Sequence, residues 1–405
     1  MDLLLIGASP NFLRAGQAVS PRLVIVDRTA PDLPNVLRGE DDHFYLVDYQ
    51  DPAAVDAFAD MLAAGPRPTA VVCVTEQGLI PAARLVDRLG LRGPDEDVVR
   101  STRDKRRMRE QLAAHAPHLS LASAPATDRK AVARILKDTG QAVLKPALGT
   151  ASQGIRRLGS LEDLDRLPED ELRDGLVEAF AAGVEVSVES LSVGGEHRIV
   201  CIVEKRIDTG FVEVAHLTPP PSLTEEDVAR VTRATTELLD ALGVTDGPAH
   251  TELMVGPEQV SVVETHNRPG GDGIPDLVEA TTGVDWRRAS LAWSLVPEGS
   301  GSTAVDDVLR DCTGQAVTGA AAIVFFTAPA GTVTRVLERP DQVGETDILS
   351  WRVDAEVGSK VGPPLSSADR LGAAELRASN AQSLRNAVDH LLTVGVIEVT
   401  EGTAA

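Results

Sequence analysis

The sequence predicts a mixed α/β protein of several units, on three observations. Strand-like and helical segments alternate through residues 1–92, a β-rich hairpin pattern occupies residues 251–265, and the chain is long and apolar enough for two or three domains sharing a core (405 residues, 43% hydrophobic). In the first region, residues 3–6, 23–26, 44–47 and 70–74 read as strands and 52–64 and 79–89 as helices, the pattern of a parallel sheet. Gly7-Ala8-Ser9 falls short of GxGxxG, so no dinucleotide site is expected. Glu76 lies just past the fourth strand, at the strand end where open α/β sheets bind ligands. A grip on a substrate ammonium and an ordinary surface loop both fit it.

Composition removes several classes of function. A net charge of −22 opposes binding to nucleic acid, whose phosphates demand a basic face. The basic residues that are clustered, Arg100, Arg103, Lys105, Arg106, Arg107 and Arg109, form one island, and on a helix only some of them share a face. No apolar run approaches the about 20 residues of a membrane span, and the start lacks a basic region and reads as a strand rather than a signal peptide. Cys73, Cys201 and Cys312 are far apart, which suits reduced thiols in a cytoplasmic protein.

The run His250 to Asp276 carries the most chemistry. Residues 251–255 and 260–265 are β-rich and Gly256-Pro257-Glu258-Gln259 has turn chemistry, so an antiparallel hairpin is expected. Alternation places Glu252 and Glu264 together on one face, with Leu253, Val255 and Val263 on the other. Facing carboxylates repel unless a cation sits between them, and magnesium, a hard ion that shares oxygen ligands with nucleotide phosphates, fits; manganese is the alternative. Two unrelated solvent-facing glutamates are the competing explanation. The following Asn267-Arg268-Pro269-Gly270-Gly271-Asp272 suits anion handling better than simple turn-making.

Further upstream, residues 142–145 read as a strand ending in Lys145, followed by the small-residue loop Gly149-Thr150-Ala151-Ser152-Gln153-Gly154. Glycines and hydroxyl residues let backbone N–H groups approach phosphate, and the lysine adds a point charge. Because the lysine precedes the loop, this is not a P-loop. Residues 176–189 read as strand, turn and alternating strand, with Glu185, Ser187 and Glu189 on one face; a ribose grip and a plain solvated face both fit.

The order of these motifs resembles the ATP-grasp superfamily, and within it the carboxylate-amine ligases that include the L-amino acid (dipeptide) ligases and D-alanine:D-alanine ligase. The ordered set is Lys105, Lys145 with its glycine loop, Glu178 and Glu185, then Glu252 and Glu264. The resemblance implies ATP as cosubstrate, with Lys105 and Lys145 on the α- and β-phosphates and the loop 149–154 closing over them. It implies Glu178, Ala179 and Phe180 at the adenine edge, Glu185 on the ribose, and, more loosely, Lys205 at the γ-phosphate. Glu252 and Glu264 would ligate magnesium, and Arg268 would steady an acyl-phosphate and the tetrahedral intermediate.

Two positions depart from that pattern. Many relatives read Glu-x-Asn-Pro-Arg, whereas this chain reads Glu264-Thr265-His266-Asn267-Arg268. The ligand slot thus holds His266, and imidazole is a poorer partner for magnesium than an amide oxygen, so either Asn267 takes over as third ligand or His266 keeps the slot; otherwise His266 orients a neighbour on the substrate side with Gly270 and Gly271. His250 replaces an arginine found near the substrate carbonyl in some relatives, and both a proton-moving role near neutral pH and a structural role closing the hairpin fit it.

The expected organisation is an N-terminal parallel α/β (pre-ATP-grasp) domain over 1–97, a lid over 98–180 carrying both lysines, an ATP-grasp core over 181–305, and a C-terminal α+β subdomain over 306–405. Residues 225–242 and 381–393 are expected helices, 320–327 and 331–337 expected strands, and 401–405 a frayed end. The implied reaction joins a carboxylate to an amine, both small molecules and most simply amino acids, with release of ADP and phosphate. Purine-biosynthetic or biotin-carboxylase-like chemistry and a non-catalytic nucleotide-binding regulator are the alternatives. A homodimer is common in the superfamily, but nothing in the sequence locates an interface.

Overall fold

A computed structural model of the chain describes residues 2–29, 42–65, 67–149, 153–208, 210–315 and 317–401. The N-terminal strands form a four-stranded parallel sheet in the order His43–Leu46, Arg22–Asp27, Asp2–Ile6, Ala70–Cys73. Strands in such a sheet are apolar on both faces, and Leu3, Leu4, Leu5 and Ile6 are all fully buried. One face packs on the helices Pro52–Ala63 and Leu79–Leu89. The other, with Leu3 and Leu5, shares a core with Trp286 and Trp293 of the following region.

That region is organised by a nine-stranded antiparallel sheet. Its order is Val260–His266, Gly247–Val255, Val184–Val193, Glu196–Ile207, Glu213–Thr218, Ala320–Phe325, Gly372–Ala378, Thr346–Val353, Gln342–Val343. Four C-terminal strands thus extend the central sheet itself, where the sequence suggested a subdomain added to it. A separate three-stranded sheet, Lys360–Val361, Gly331–Val336 and Ile397–Glu401, and the helix Ala381–Val394 complete the C-terminal part.

The lid is a four-stranded antiparallel sheet, Ser123–Pro125, Gly175–Ala179, Ala142–Pro146, Arg156–Leu158, with its own apolar cluster around Val132, Leu144 and Val177. It begins at Ser123 rather than at 98. The helices Glu96–Arg103 and Lys105–His115 belong instead to the central core, because Val98, Met108 and Leu112 pack with Leu238 and Val262 beneath the hairpin. Asp104 separates these two helices and caps the second, its carboxylate accepting from the Arg106 N–H. Lys105 therefore opens a helix on the core while Lys145 lies in the lid. Cys73, Cys201 and Cys312 are free and buried. Among the described residues, no helix is long and apolar enough to cross a membrane.

Candidate active site

The hairpin Gly247–Val255 and Val260–His266 places Glu252 directly opposite Glu264. A β-bulge makes this work. Leu253 pairs with Val262, leaving Val263 as an extra residue, so Glu264 and Val262 face opposite sides despite their even spacing. The expectation for Val263 is corrected accordingly: Val262 is fully buried in the core, while Val263 lines the cleft with Glu264.

This cleft has a volume of about 350 Å³ and lies between the lid, the hairpin and the end of the N-terminal sheet. Leu121, Val143, Ile155, Phe180, Met254 and Val263 form apolar walls toward the lid side. Arg157 stacks 4.6 Å above the Phe180 ring and 5.4 Å from that of Phe211, joining the lid to the central sheet's side of the cleft.

Cations gather next to those walls. Lys105 Nζ lies 2.7 Å from Glu264 and 3.4 Å from the Gly149 carbonyl, bridging hairpin and loop. Lys145 pairs with Glu178, whose other oxygen accepts from Arg109 Nε at 2.6 Å. Glu178 is 1% exposed, and burial, which raises its pKa, is outweighed by Arg109 and Lys145, which hold it below its ordinary value. Burial lowers the Lys145 pKa, and the nearby Arg109 and Lys105 push it further down against Glu178. Three cations share two carboxylates here, so the locality favours an incoming anion. Glu178 lines the cleft with Ala179 and Phe180, and its carboxylate is a buried counterion of Lys145 and Arg109. Gln153 and Gly149 also line it, and Gly154 adopts a left-handed φ of +73° in the same loop. Thr150, Ala151 and Ser152 lie outside the described residues.

Carboxylates dominate the other side. Lys205 Nζ meets Glu213 at 2.6 Å, Glu252 in a direct ion pair, and Glu185 at 3.9 Å. Burial is the largest influence on Glu185, and with Glu252, Glu213 and Glu264 near, its pKa rises to about 8 despite Lys205. Glu252 and Glu264 face each other across the hairpin, but among the described residues no group of three or more His, Cys, Asp or Glu side chains is arranged to hold a metal ion. Asn267 is not offered to this pair. Its Oδ1 accepts from the Thr102 hydroxyl at 2.9 Å, and it is absent from the cleft wall. His266 Nε2 lies 3.3 Å from Glu264, and burial, reinforced by Arg268 and Lys105, lowers its pKa to about 4, so the ring is neutral.

His250 is held between two carboxylates. Its Nδ1 is 2.5 Å from Glu189 and its Nε2 3.3 Å from Glu252. Burial pulls its pKa down, but Glu189 and Glu252 lift it to about 9, which makes it a fixed cation at neutral pH rather than a proton shuttle. Glu189, fully buried, also accepts from the Gly270 N–H at 2.9 Å and from Trp286 Nε1 at 2.7 Å. A Cβ on Gly270 would stand 2.6 Å from Glu189 Oε1, so only glycine fits; Gly271 beside it lines the cleft.

Glu76 lines the same cleft, but its carboxylate is engaged by Arg103, by Arg268 Nη2 at 3.1 Å and, at 3.6 Å, by His266. It holds Arg268 rather than standing open for an ammonium. Glu189 was one of the acids the sequence offered for a ribose grip. Arg103, Arg109, Glu213, His216 and Arg370 were not picked out individually by the sequence. Only the first two carried a signal, their place in the basic island. The buried His216 lines the cleft with neither ring nitrogen hydrogen-bonded among the described residues.

Residues 140–276 match the ATP-grasp domain family. The chain is 24% identical over 382 residues to an alanine–anticapsin ligase of Bacillus amyloliquefaciens, spanning 82% of this chain and 77% of that one. Its fold is similar to the L-amino acid ligase of Bacillus licheniformis, with a TM-score of 0.74, 19% identity and 99% of both chains covered. It is also similar to the biotin carboxylase domain of Hydrogenobacter thermophilus 2-oxoglutarate carboxylase, solved with MgADP and bicarbonate, with a TM-score of 0.67, 16% identity and coverage of 98% and 91%. Residues 140–276 thus match an ATP-grasp domain, within a chain whose overall fold is similar to that of an L-amino acid ligase.

Proposed function

We propose that the protein joins the carboxylate of one amino acid to the amine of another, using ATP and forming an acyl-phosphate on the way. The observation that carries this reading is the division of one cleft into an apolar, cation-rich half and a carboxylate-rich half, with Arg268 between the hairpin and the N-terminal sheet.

In this reading Phe180, Val143 and Met254 receive the adenine, and Glu185 takes the ribose. Lys105 and Lys145 hold the α- and β-phosphates beside Gly149 and Gln153, and Lys205 serves the γ-phosphate. Glu252 and Glu264 would hold magnesium, which supplies neutralisation of the charge that builds up during phosphoryl transfer. Arg268, with Nε buried and unpartnered among the described residues, has a donor left for the acyl-phosphate and the tetrahedral intermediate that the amine forms. His250 as imidazolium adds a fixed positive charge next to Glu252, and lid closure keeps water from the activated acyl group.

The test is phosphate release from Mg-ATP against amino acids singly and in pairs, with mass spectrometry of each mixture. Pair-dependent phosphate, with a product lighter than the summed substrates by one water, is expected. Glu264→Ala and Arg268→Ala should abolish turnover and leave the far-ultraviolet circular dichroism unchanged. Normal activity in either variant would refute the assignment.

A further inference from the structure

Beyond the nucleotide half, the cleft ends where three segments converge. These are the start of the strand Glu213–Thr218, the turn carrying Gly271 and Asp272, and the C-terminal turn Ser367–Asp369. Arg370 ties them together. Its Nε donates to the Glu213 carbonyl at 3.0 Å, its Nη2 to Glu213 Oε2 at 3.0 Å, and its Nη1 to Asp272 Oδ2 at 2.7 Å. The guanidinium lies 3.8 Å above the Phe325 ring and its side chain is 8% exposed. Glu213, Asp272 and Ser367 all line the cleft; Arg370 stands behind them.

The charges here are unequal in what they can spare. Glu213 has a second cation, Lys205, but Asp272 has Arg370 alone among its described ion pairs. Its side chain is 45% exposed and it is held in a left-handed φ of +49°, a conformation aspartate tolerates better than most residues. Without Arg370, this wall would offer a substrate side chain a carboxylate with no partner and a second carboxylate only half neutralised. Arginine's planar fork can satisfy both acids at once, and lysine cannot.

We propose that Arg370 is a specificity-determining residue, which neutralises the Asp272 and Glu213 wall and so biases the substrate end of the cleft toward amino acids with uncharged side chains over basic ones. This rests on the amino-acid ligase reading above. The exclusion works by withholding an attractive partner and by adding a cation that repels an incoming ammonium.

The experiment compares L-lysine with L-norleucine, which has nearly the same shape and no charge. Two readouts are used: kcat/KM for amino-acid-dependent phosphate release, and calorimetric binding in Mg2+ and a non-hydrolysable ATP analogue. Arg370→Gln is expected to raise the lysine-to-norleucine ratio about tenfold, equivalent to about 1.4 kcal/mol, in both readouts. Arg370→Lys, which keeps the charge but not the fork, should raise the ratio by less than Arg370→Gln, and Arg370→Gln with Asp272→Asn should return toward the wild-type value. Should Arg370→Gln not fold, Asp272→Asn alone must lower the ratio. A ratio unchanged in the Arg370→Gln protein while both amino acids weaken together makes Arg370 a structural strut and overturns this proposal alone. Failure of the wild-type chain to bind or use any amino acid overturns the amino-acid reading, and the proposal with it.

Discussion

Replacing Glu178 by glutamine tests how the nucleotide half is held together. The side chain keeps its shape and loses its charge, leaving Arg109 and Lys145, 4% and 7% exposed, with no anion between them. Removing one partner of a buried pair costs about 3–5 kcal/mol, a large part of the roughly 5–15 kcal/mol that holds a domain folded. Glu178 spans two bodies, since Lys145 belongs to the lid sheet and Arg109 to a helix of the core. The loss should therefore reach both. Urea unfolding and amide exchange in the strands Ala142–Pro146 and Gly175–Ala179 would report it. In the wild type, Glu178 titrates below its ordinary value, so its contribution is present above the unfolded carboxyl pKa of about 4.3 and is lost as the pH falls further, through the folded value. A Glu178→Gln protein within about 1 kcal/mol of wild-type stability but with collapsed ATP affinity would refute this reasoning and return the side chain to the adenine edge.

Three further outcomes are expected. His250 binds its proton more tightly in the folded chain, so its contribution, about 3 kcal/mol for a shift from 6.5 to about 9, is complete below pH 6.5 and disappears as the pH rises through about 9. Melting temperature across that range should fall more steeply for the wild type than for His250→Asn, and parallel curves would contradict the assignment. Gly270→Ala forces a methyl against Glu189 and His250 and should cost about 1–3 kcal/mol together with most of the activity; an unaffected enzyme would mean the turn is free to move. Arg157→Ala removes the stack on Phe180 and Phe211, and calorimetry should show ATP binding weakened by about 1 kcal/mol, whereas undiminished affinity would make the stack incidental.

Local periodicity was a good guide to the elements. The parallel strands, the hairpin and the helices Glu225–Ala241 and Ala381–Val394 follow alternation and capping signals that neighbouring residues carry. Which element joins which is settled over longer distances. The helices at 96–115 look like part of the lid in sequence, yet Met108 and Leu112 find their apolar partners around Leu238 and Val262, more than a hundred residues away. The site shows the same limit. Residue types within motifs pointed to Lys145, Glu252, Glu264 and Arg268, but the partners Arg109 and Arg370 come from separate elements and carry no motif. Asn267 shows how a motif position can mislead, since it follows the strand that ends at His266 and its amide oxygen accepts from the Thr102 hydroxyl.

The single unpaired residue at Val263 behaves as a parity bit for the active site. Without it, the pairs Leu253–Val262 and Glu252–Glu264 would form a regular ladder in which adjacent residues alternate, so Glu264 would still face the cleft. An added residue in a regular ladder would instead turn Glu264 to the face of Val262 and shift Arg268 and the turn at Gly270 with it. The segment should thus tolerate the loss of Val263 better than a one-residue insertion beside it, so that libraries of insertions would find a gap here that libraries of deletions do not.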